Sequence, residues 1–318
     1  MAVTLAQAKL NVTDDLQLGI IDEFAKSSFI MNNIPFDDCV SPVGGGATLT
    51  YGYTRLVTQP TAAFRAVNSE YTPSEVEKQR YTTDLKVFGG SFEIDRIIAG
   101  MGGIASEVEL QSRQKVKAAS ALFNDTIING NSGTDENVFD GLDVAITGSD
   151  TEYNADGAAI DLSTSALVTE NHVAFTDALD EFLLTLDGTP SALMMNTKML
   201  AKMRAVARRA GMYQTSKNEW GQEVEYYGNI PMVDLGAKPG SNAPVVGIEA
   251  DGTTSIYAAR FAIDGFHAIS MAGQAPVNIW LPDFTTAGAV KKGEVEMVAG
   301  CALKATKAAG VFRKIKVQ

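Results

Sequence analysis

Apolar and polar residues alternate along the segment from Ala47 to Arg96, which is the pattern of β-strands with one buried face. The alternation predicts strands at Thr48–Tyr53, Tyr81–Phe88 and Ser91–Asp95. A polar, charge-rich stretch from Gln59 to Arg80 separates the first two strands. Structureless excursions of about 20 residues are uncommon inside compact domains. We therefore expect a long hairpin-like loop that projects away from the core and binds elsewhere.

The strongest helical period begins near Ile104 and ends at Asn129-Gly130. Ser106 and Glu109 have the spacing of a capping box, and a glycine is a common stop at a helix C-terminus. A helix of about 24 residues would be a rod of about 36 Å with apolar packing on one side only. The apolar stripe consists of Ile104, Val108, Val116, Ala119, Phe123 and Ile127.

An α/β unit follows an acidic stretch. The pattern predicts a helix from Glu170 to Leu186, a buried strand from Ser191 to Met195, and a helix from Lys198 to Ala210 that Gly211 ends. Asn196 or Thr197 would cap the last of these helices. The remaining strand-like runs are 226–233, 255–259, 290–301 and 311–317, and the first 45 residues contain one plausible helix, Leu16–Phe29.

Composition narrows the functional classes. The chain has 318 residues, of which 45% are hydrophobic, and a formal net charge of −12. A net negative charge disfavours tight binding to phosphate backbones over most of the surface. No apolar run reaches the roughly 18 residues of a membrane span, and the N-terminus lacks the basic region of a signal peptide. Two cysteines and two histidines are too few for a disulfide framework or a structural zinc site.

Charge is distributed in blocks along the chain. Residues 130–200 are predominantly acidic, residues 201–218 contain only basic charges, and the tail from Lys291 is mostly basic. Such blocks are either solvated faces or patches through which copies of one protein dock on each other. The basic residues of the middle block are Lys202, Arg204, Arg208, Arg209 and Lys217.

Motifs that could carry chemistry are weak. Gly100–Ala105 matches the G-x-G-x-x-A form of a dinucleotide fingerprint, but the strand and acidic residue that complete that unit are missing, so we interpret it as a turn. His172 and His267 have no nucleophile motif nearby and are expected to be structural. Cys39 and Cys301 are expected to be buried free thiols. We predict no catalytic residue, no metal site and no cofactor.

The order of the parts resembles the major capsid protein of tailed bacteriophages, whose α+β HK97 fold encapsulins share. Residues 122–130 and 139–142 look like the end of the family's spine helix and the Gly-Leu after it. Residues 191–196 with Leu200 look like the strand-to-helix step of its axial domain. Residues 227–233 look like its G-x-P-V strand, with Met232 interrupting the commoner form, and 255–261 look like the strand that follows.

The resemblance implies a role for each segment. Residues 1–47 would be the N-terminal arm, 48–95 the extended E-loop, 96–163 the peripheral domain with the spine helix, 164–284 the axial domain, and 285–318 the return to the peripheral domain. The protein would form pentamers and hexamers of an icosahedral virion shell, assemble in the host cytoplasm, and enclose DNA without sequence-specific binding or membrane contact. Candidate contacts between subunits are Phe64, Arg65, Glu70, Glu75, Lys78, Arg80, Arg204, Arg208 and Arg209.

Two departures from the family pattern affect the expected partners. The E-loop candidate starts too early for a built-in scaffolding segment, so scaffolding would be a separate protein or already removed, beside a portal and a possible decoration protein. The loop contains one lysine, Lys78, and no identifiable asparagine partner, so we assign no cross-link. The alternatives are an encapsulin-type compartment and a cytoplasmic α/β enzyme with an unrecognised site.

Overall fold

Two β-sheets and a separate two-stranded ribbon form the framework of the described chain. The computed structural model describes residues 29–41, 45–58, 60–100, 107–211, 214–217, 223–273 and 275–318. The predicted helix Leu16–Phe29, the motif Gly100–Ala105 and the capping residue Ser106 fall outside this part of the chain, except at Phe29 and Gly100.

The helices are α1 (Phe29–Asn33), α2 (Arg96–Gly100), α3 (Glu107–Asn129), α4 (Leu142–Ile146), α5 (Ser165–Leu184) and α6 (Thr197–Ala210), with a 3-10 helix at Thr306–Ala308. The strands are β1 (Phe36–Cys39), β2 (Thr50–Leu56), β3 (Lys78–Asp84), β4 (Lys86–Asp95), β5 (Glu152–Tyr153), β6 (Ile160–Asp161), β7 (Ala192–Met195), β8 (Gln214–Lys217), β9 (Glu223–Tyr227), β10 (Ile230–Asp234), β11 (Thr253–Ala259), β12 (Phe266–Met271), β13 (Val277–Trp280), β14 (Val290–Leu303) and β15 (Ala309–Lys316).

The first sheet is organised around the long strand β14. One edge of β14 pairs antiparallel with β4, and its other edge pairs with β13 and then with β12, to which β1 adds in parallel. Helix α3 packs on β4 and β14. The ring of Phe123 on α3 lies 6.0 Å from that of Phe36 and 6.2 Å from that of Phe88, so aromatic packing joins the helix to the sheet.

The predicted long helix is present as α3. The residues of its predicted stripe from Ala119 onward, Phe123 and Ile127 among them, are buried. Gly130 directly follows the helix, and a Cβ there would lie 2.2 Å from the carbonyl oxygen of Phe139 and 2.5 Å from that of Thr126. The close approach of the chain after the helix therefore needs glycine for a steric reason.

The second sheet has the order β5-β15-β11-β7-β10-β9-β8, with β6 also paired to β15. Helices α5 and α6 pack on each other against it. Asn196 caps α6 through a 2.8 Å bond from the Met199 amide, and Gly211 ends it at a φ of 70°. Helix α5 begins five residues before the predicted Glu170, because the hydroxyl of Thr164 caps it by accepting from the amide of Leu167.

The strand-like run at 226–233 belongs to two strands, β9 and β10. Gly228, at a φ of 58°, turns the chain between them, and Ile230 pairs with Tyr227 across the turn. The final strands also divide, since β14 lies in the first sheet and β15 lies in the second, beside β11. Apolar side chains from both sheets share one core that includes Phe123, Met194 and Met297. The domain boundaries given above remain predictions.

Candidate functional site

The most unusual feature of the fold is the ribbon of β2 and β3. Its strands pair antiparallel from Thr50–Asp84 to Leu56–Lys78, and no further strand of the described chain joins them. Seven residues of antiparallel strand span about 24 Å. Beyond the last pair, the described residues between Val57 and Glu77 have no regular secondary structure. A ribbon of two strands is marginal in water by itself, so contacts at its base must hold its direction.

Side chains on one face of β2 provide those contacts. Tyr51, Tyr53 and Arg55 alternate with exposed residues and therefore point to the same side. Arg55 donates through Nε to the carbonyl of Lys304 at 2.9 Å and through Nη2 to that of Leu303 at 2.7 Å. The Tyr53 hydroxyl donates to the same Leu303 carbonyl at 3.0 Å. Tyr51, Tyr53 and Arg55 form the hairpin anchor, in which Tyr53 and Arg55 tie the ribbon to the end of β14.

Stacking reinforces the hairpin anchor from the second strand. The Arg55 guanidinium lies 4.4 Å from the centre of the Tyr81 ring, and the Tyr53 and Tyr81 rings stack at 5.8 Å. A guanidinium that stacks on a ring while donating to two carbonyls has a fixed orientation. Burial raises the pKa of Tyr53 above its usual range, so the hydroxyl stays a donor at neutral pH.

Tyr51 forms the third contact of the hairpin anchor, with Asp37 of β1. Its hydroxyl donates to Asp37 Oδ2 at 2.5 Å, and the Nζ atom of Lys304 lies 3.5 Å from the same oxygen. Burial acts to raise the pKa of Asp37, but the Tyr51 hydroxyl and the Lys304 ammonium outweigh it and hold that pKa below its usual range. Burial, followed by the bond to Asp37, raises the pKa of Tyr51.

A cavity of about 440 Å³ lies beside the hairpin anchor, between the ribbon and the segment that follows α3. Its lining combines charged side chains from both walls with apolar side chains and the thiol of Cys301. Burial raises the pKa of Cys301 to about 12, which keeps this thiol protonated and unreactive. The lining residues include Tyr53, Arg55, Tyr81, Asp140, Cys301 and Leu303.

The candidate contact residues of the loop all lie on the surface, at the far end of the ribbon or along it. Phe64 is fully exposed, and Val67 is 89% exposed. Arg65 donates to the carbonyls of Ala66 and Ser69 and lies 5.3 Å from the Tyr71 ring, so the tip has local order of its own. The remaining exposed candidates are Glu70, Glu75, Lys78 and Arg80.

The three candidate arginines of α6 have different surroundings. Arg204 pairs with Glu225 at 2.7 Å, and Arg209 donates to Thr169 Oγ1 and to both Ser165 oxygens at the start of α5. Arg208 is exposed, and the described residues offer it no ion pair or hydrogen bond. Of the three arginines on this helix, only Arg208 therefore has its charge free of partners within the described chain.

The two histidines and the two cysteines each lie on a helix or strand of the fold. His172 lies on α5 with Nδ1 2.9 Å from the Thr169 carbonyl, and His267 is fully buried in β12. Cys39 and Cys301 are buried free thiols. The described residues contain no group of three or more His, Cys, Asp or Glu side chains placed to hold a metal ion. Among the described helices, none combines the length and apolar character needed to cross a membrane.

Sequence reasoning missed the hairpin anchor. Tyr51, Tyr53 and Arg55 follow each other at a spacing of two, and this spacing did reveal the strand. Tyr53 and Arg55 bind the carbonyls of Leu303 and Lys304, about 250 positions away, and nothing local marks those carbonyls.

Comparisons with known proteins place the whole chain in one fold. No family model matches it, and no curated protein matches it. The holo-SrpI encapsulin complex of Synechococcus elongatus is similar at 13% identity and a TM-score of 0.66, over 99% of this chain and 97% of that one. A solved structure from Mycobacterium phage Bobi matches at 12% identity and a TM-score of 0.61, over all of both chains. The capsid of the empty GTA particle matches at 12% identity and a TM-score of 0.61, over 99% of each chain. At these identities the likeness establishes architecture, and the chain has the HK97 fold of phage capsids and encapsulins.

Proposed function

We propose that this protein is the subunit of an icosahedral shell and assembles with its own copies into pentamers and hexamers. The observation that carries the proposal is the exposed apolar tip of a ribbon whose base is fixed to the first sheet. The structural neighbours over the full chain include a capsid and an encapsulin, which supports the same role. A shell subunit requires complementary surfaces and has no reaction to catalyse.

The tip of the ribbon carries large apolar side chains that are exposed to solvent, as a surface for another subunit would. Leu56, Phe64, Val67 and Tyr71 are each more than 60% exposed. Burying apolar surface yields about 25 cal/mol per Å², and obligate interfaces bury upwards of about 2,000 Å². A neighbouring subunit that covered these four side chains would remove their apolar surface from water, and this burial would favour assembly.

Arg208 is the α6 arginine best suited to a contact between subunits. Arg204 and Arg209 already have partners within the chain, whereas the guanidinium of Arg208 is exposed. An acidic patch on an adjacent copy would satisfy it, in accord with the acidic block at 130–200. The segment boundaries given in the sequence analysis define the proposed arm, loop and domains.

A phage or prophage head is the first candidate among shells. The net charge of −12 suits a container that encloses double-stranded DNA without gripping its phosphates. Separate scaffolding, portal and decoration proteins are its proposed partners, the virion is its location, and the host cytoplasm is the site of assembly. An encapsulin-type compartment is the second candidate, favoured by the TM-score of 0.66 to the Synechococcus elongatus encapsulin.

Particle formation tests the proposal directly. The full chain, alone and co-expressed with a candidate scaffolding protein, is sized by light scattering and imaged by negative-stain microscopy. Closed particles support a shell, a packaged double-stranded genome supports a head, and a packaged protein cargo supports a compartment. A protein that stays monomeric or dimeric across salt, pH and scaffold conditions contradicts both.

The contribution of the tip is separable from folding. Replacing residues 58–76 with Asn-Gly closes the ribbon with a favoured two-residue turn and should leave circular dichroism and thermal unfolding unchanged while abolishing particles. At a single position, Phe64→Ser should impair assembly, and the matched control Phe64→Leu should assemble. Normal particles from the shortened chain would contradict a docking role for the tip.

A further inference from the structure

His267 is a fully buried side chain of β12, and its two ring nitrogens need hydrogen-bond partners. Within the described chain, neither Nδ1 nor Nε2 of its ring has a partner. Buried polar groups in folded proteins are nearly always paired, so an orphaned imidazole needs an explanation. The proposed shell function does not provide one.

The ring lies where three elements meet. Its Nε2 is 3.9 Å from Asp37 Oδ2 of β1, and its centre is 5.7 Å from that of the Tyr51 ring of β2. Lys304, directly after β14, lies 3.5 Å from the same Asp37 oxygen. One carboxylate oxygen therefore faces an imidazole, a phenol and an ammonium. The other titratable groups of these elements are Asp38 and Cys39 of β1, Tyr53 and Arg55 of β2, and Lys291, Lys292, Glu294, Glu296 and Cys301 of β14.

The present arrangement requires His267 to be neutral. Burial, and then the Lys304 ammonium, lower the pKa of His267 to about 4, against a weaker opposing effect of Asp37. The pKa of Asp37 lies below its usual range, so Asp37 keeps its charge while His267 takes up a proton. With His267 neutral, Asp37 is available to Tyr51.

We propose that protonation of His267 releases the base of the hairpin, which makes this cluster a pH-sensitive switch in the hairpin anchor. A buried imidazolium needs a counter-ion and donates at both nitrogens. The carboxylate oxygen 3.9 Å from Nε2 is Asp37 Oδ2, which Tyr51 already uses at 2.5 Å. Drawing this oxygen to the imidazolium weakens the bond from Tyr51, and the nearby ammonium of Lys304 favours opening to water. The inference does not rest on the proposed function.

Thermodynamic linkage predicts that acid favours opening of the site. His267 has a pKa of about 4 in the closed state and an ordinary value of 6.5 once the site opens. The open state therefore binds more protons below pH 6.5, and the closed state is progressively lost as the pH falls towards 4. At pH 5 the equilibrium constant for opening should be roughly 30-fold larger than at pH 7.5.

Hydrogen exchange on the full-length protein, in its purified oligomeric state, measures this opening. After correction for intrinsic rates, amide exchange between Tyr51 and Arg55 should be roughly 30-fold faster at pH 5 than at pH 7.5. His267→Gln should abolish the pH dependence because glutamine does not titrate. The matched control, His172→Gln, replaces the only other histidine, and exchange in this variant should keep its pH dependence. Equal pH dependence in His267→Gln and the wild type would overturn the proposal.

A second variant keeps the proposal testable if His267→Gln does not fold. Tyr51→Phe removes the hydroxyl bond to Asp37 and keeps the ring. It should raise exchange across β2 already at pH 7.5 and shrink the further rise at pH 5. A Tyr51→Phe protein that matches the wild type at both pH values would show that the cluster does not control the hairpin base.

Discussion

Arg55 should contribute more to the position of the hairpin than any other charged side chain of the ribbon. Replacing it by alanine removes the 2.9 Å bond to the Lys304 carbonyl, the 2.7 Å bond to the Leu303 carbonyl and the stacking on Tyr81. The ribbon pairs with no other described strand, so few contacts compensate. The loss should therefore appear as local opening at the base of the ribbon.

The magnitude follows from the contacts. A hydrogen bond from a charged donor contributes about 1.5–3 kcal/mol, and an exposed cation–π contact about 0.5–1 kcal/mol. Arg55 is half-exposed, and the Leu303 carbonyl keeps the Tyr53 hydroxyl at 3.0 Å, so water and Tyr53 replace part of what is lost. We expect the free energy of local opening to fall by about 2 kcal/mol, which is roughly a 30-fold larger opening constant.

Hydrogen exchange of the amides of β2 and β3, measured at fixed pH, gives the opening constant. Arg55→Lys should give an intermediate effect, because one ammonium cannot reproduce the two-pronged donation or the stacking. Arg80→Ala is the matched control, since Arg80 belongs to the same ribbon but is exposed. If Arg55→Ala leaves the exchange rates within about twofold of those of Arg80→Ala, the hairpin anchor does not hold the ribbon.

Two further predictions concern the fold. A Cβ on Gly89 would lie 2.0 Å from the Val295 carbonyl oxygen, whereas a Cβ on Gly90 would meet only a flexible lysine side chain. In denaturant titrations, Gly89→Ala should therefore lower the free energy of unfolding several-fold more than Gly90→Ala does, and equal midpoints would contradict this. Buried Asn196 caps α6 and also donates to Thr254 and Val246, whereas Thr164 only caps α5 at the surface. Asn196→Ala should therefore cost about 3 kcal/mol of unfolding free energy and Thr164→Ala about 1 kcal/mol, and the reverse order would refute the argument.

Local signals in the sequence determined the elements that depend on neighbouring residues. Helix α6 was predicted with both ends, because Asn196 and Gly211 supply its caps within the chain segment itself. The alternation around Tyr51 identified β2 and the long excursion after it. The predicted start of helix α5 lies five residues too late, because Thr164 is the residue that caps this helix.

The tertiary structure alone decided which distant segments meet. Strand β4 pairs with β14 some 200 positions away, and β15 joins the second sheet although β14, its neighbour in sequence, belongs to the first. Apolar alternation marks a strand but carries no information on its partner, because many registers bury the same face.

The sequence by itself therefore determined the class of fold and the hairpin with its long excursion. Only the tertiary structure placed Arg55 on the carbonyls of residues 303 and 304, and a buried imidazole beside Asp37. The physical reason is that backbone carbonyls and desolvated side chains acquire their roles from what surrounds them in space, and separations of more than 200 residues leave no periodic trace in the chain.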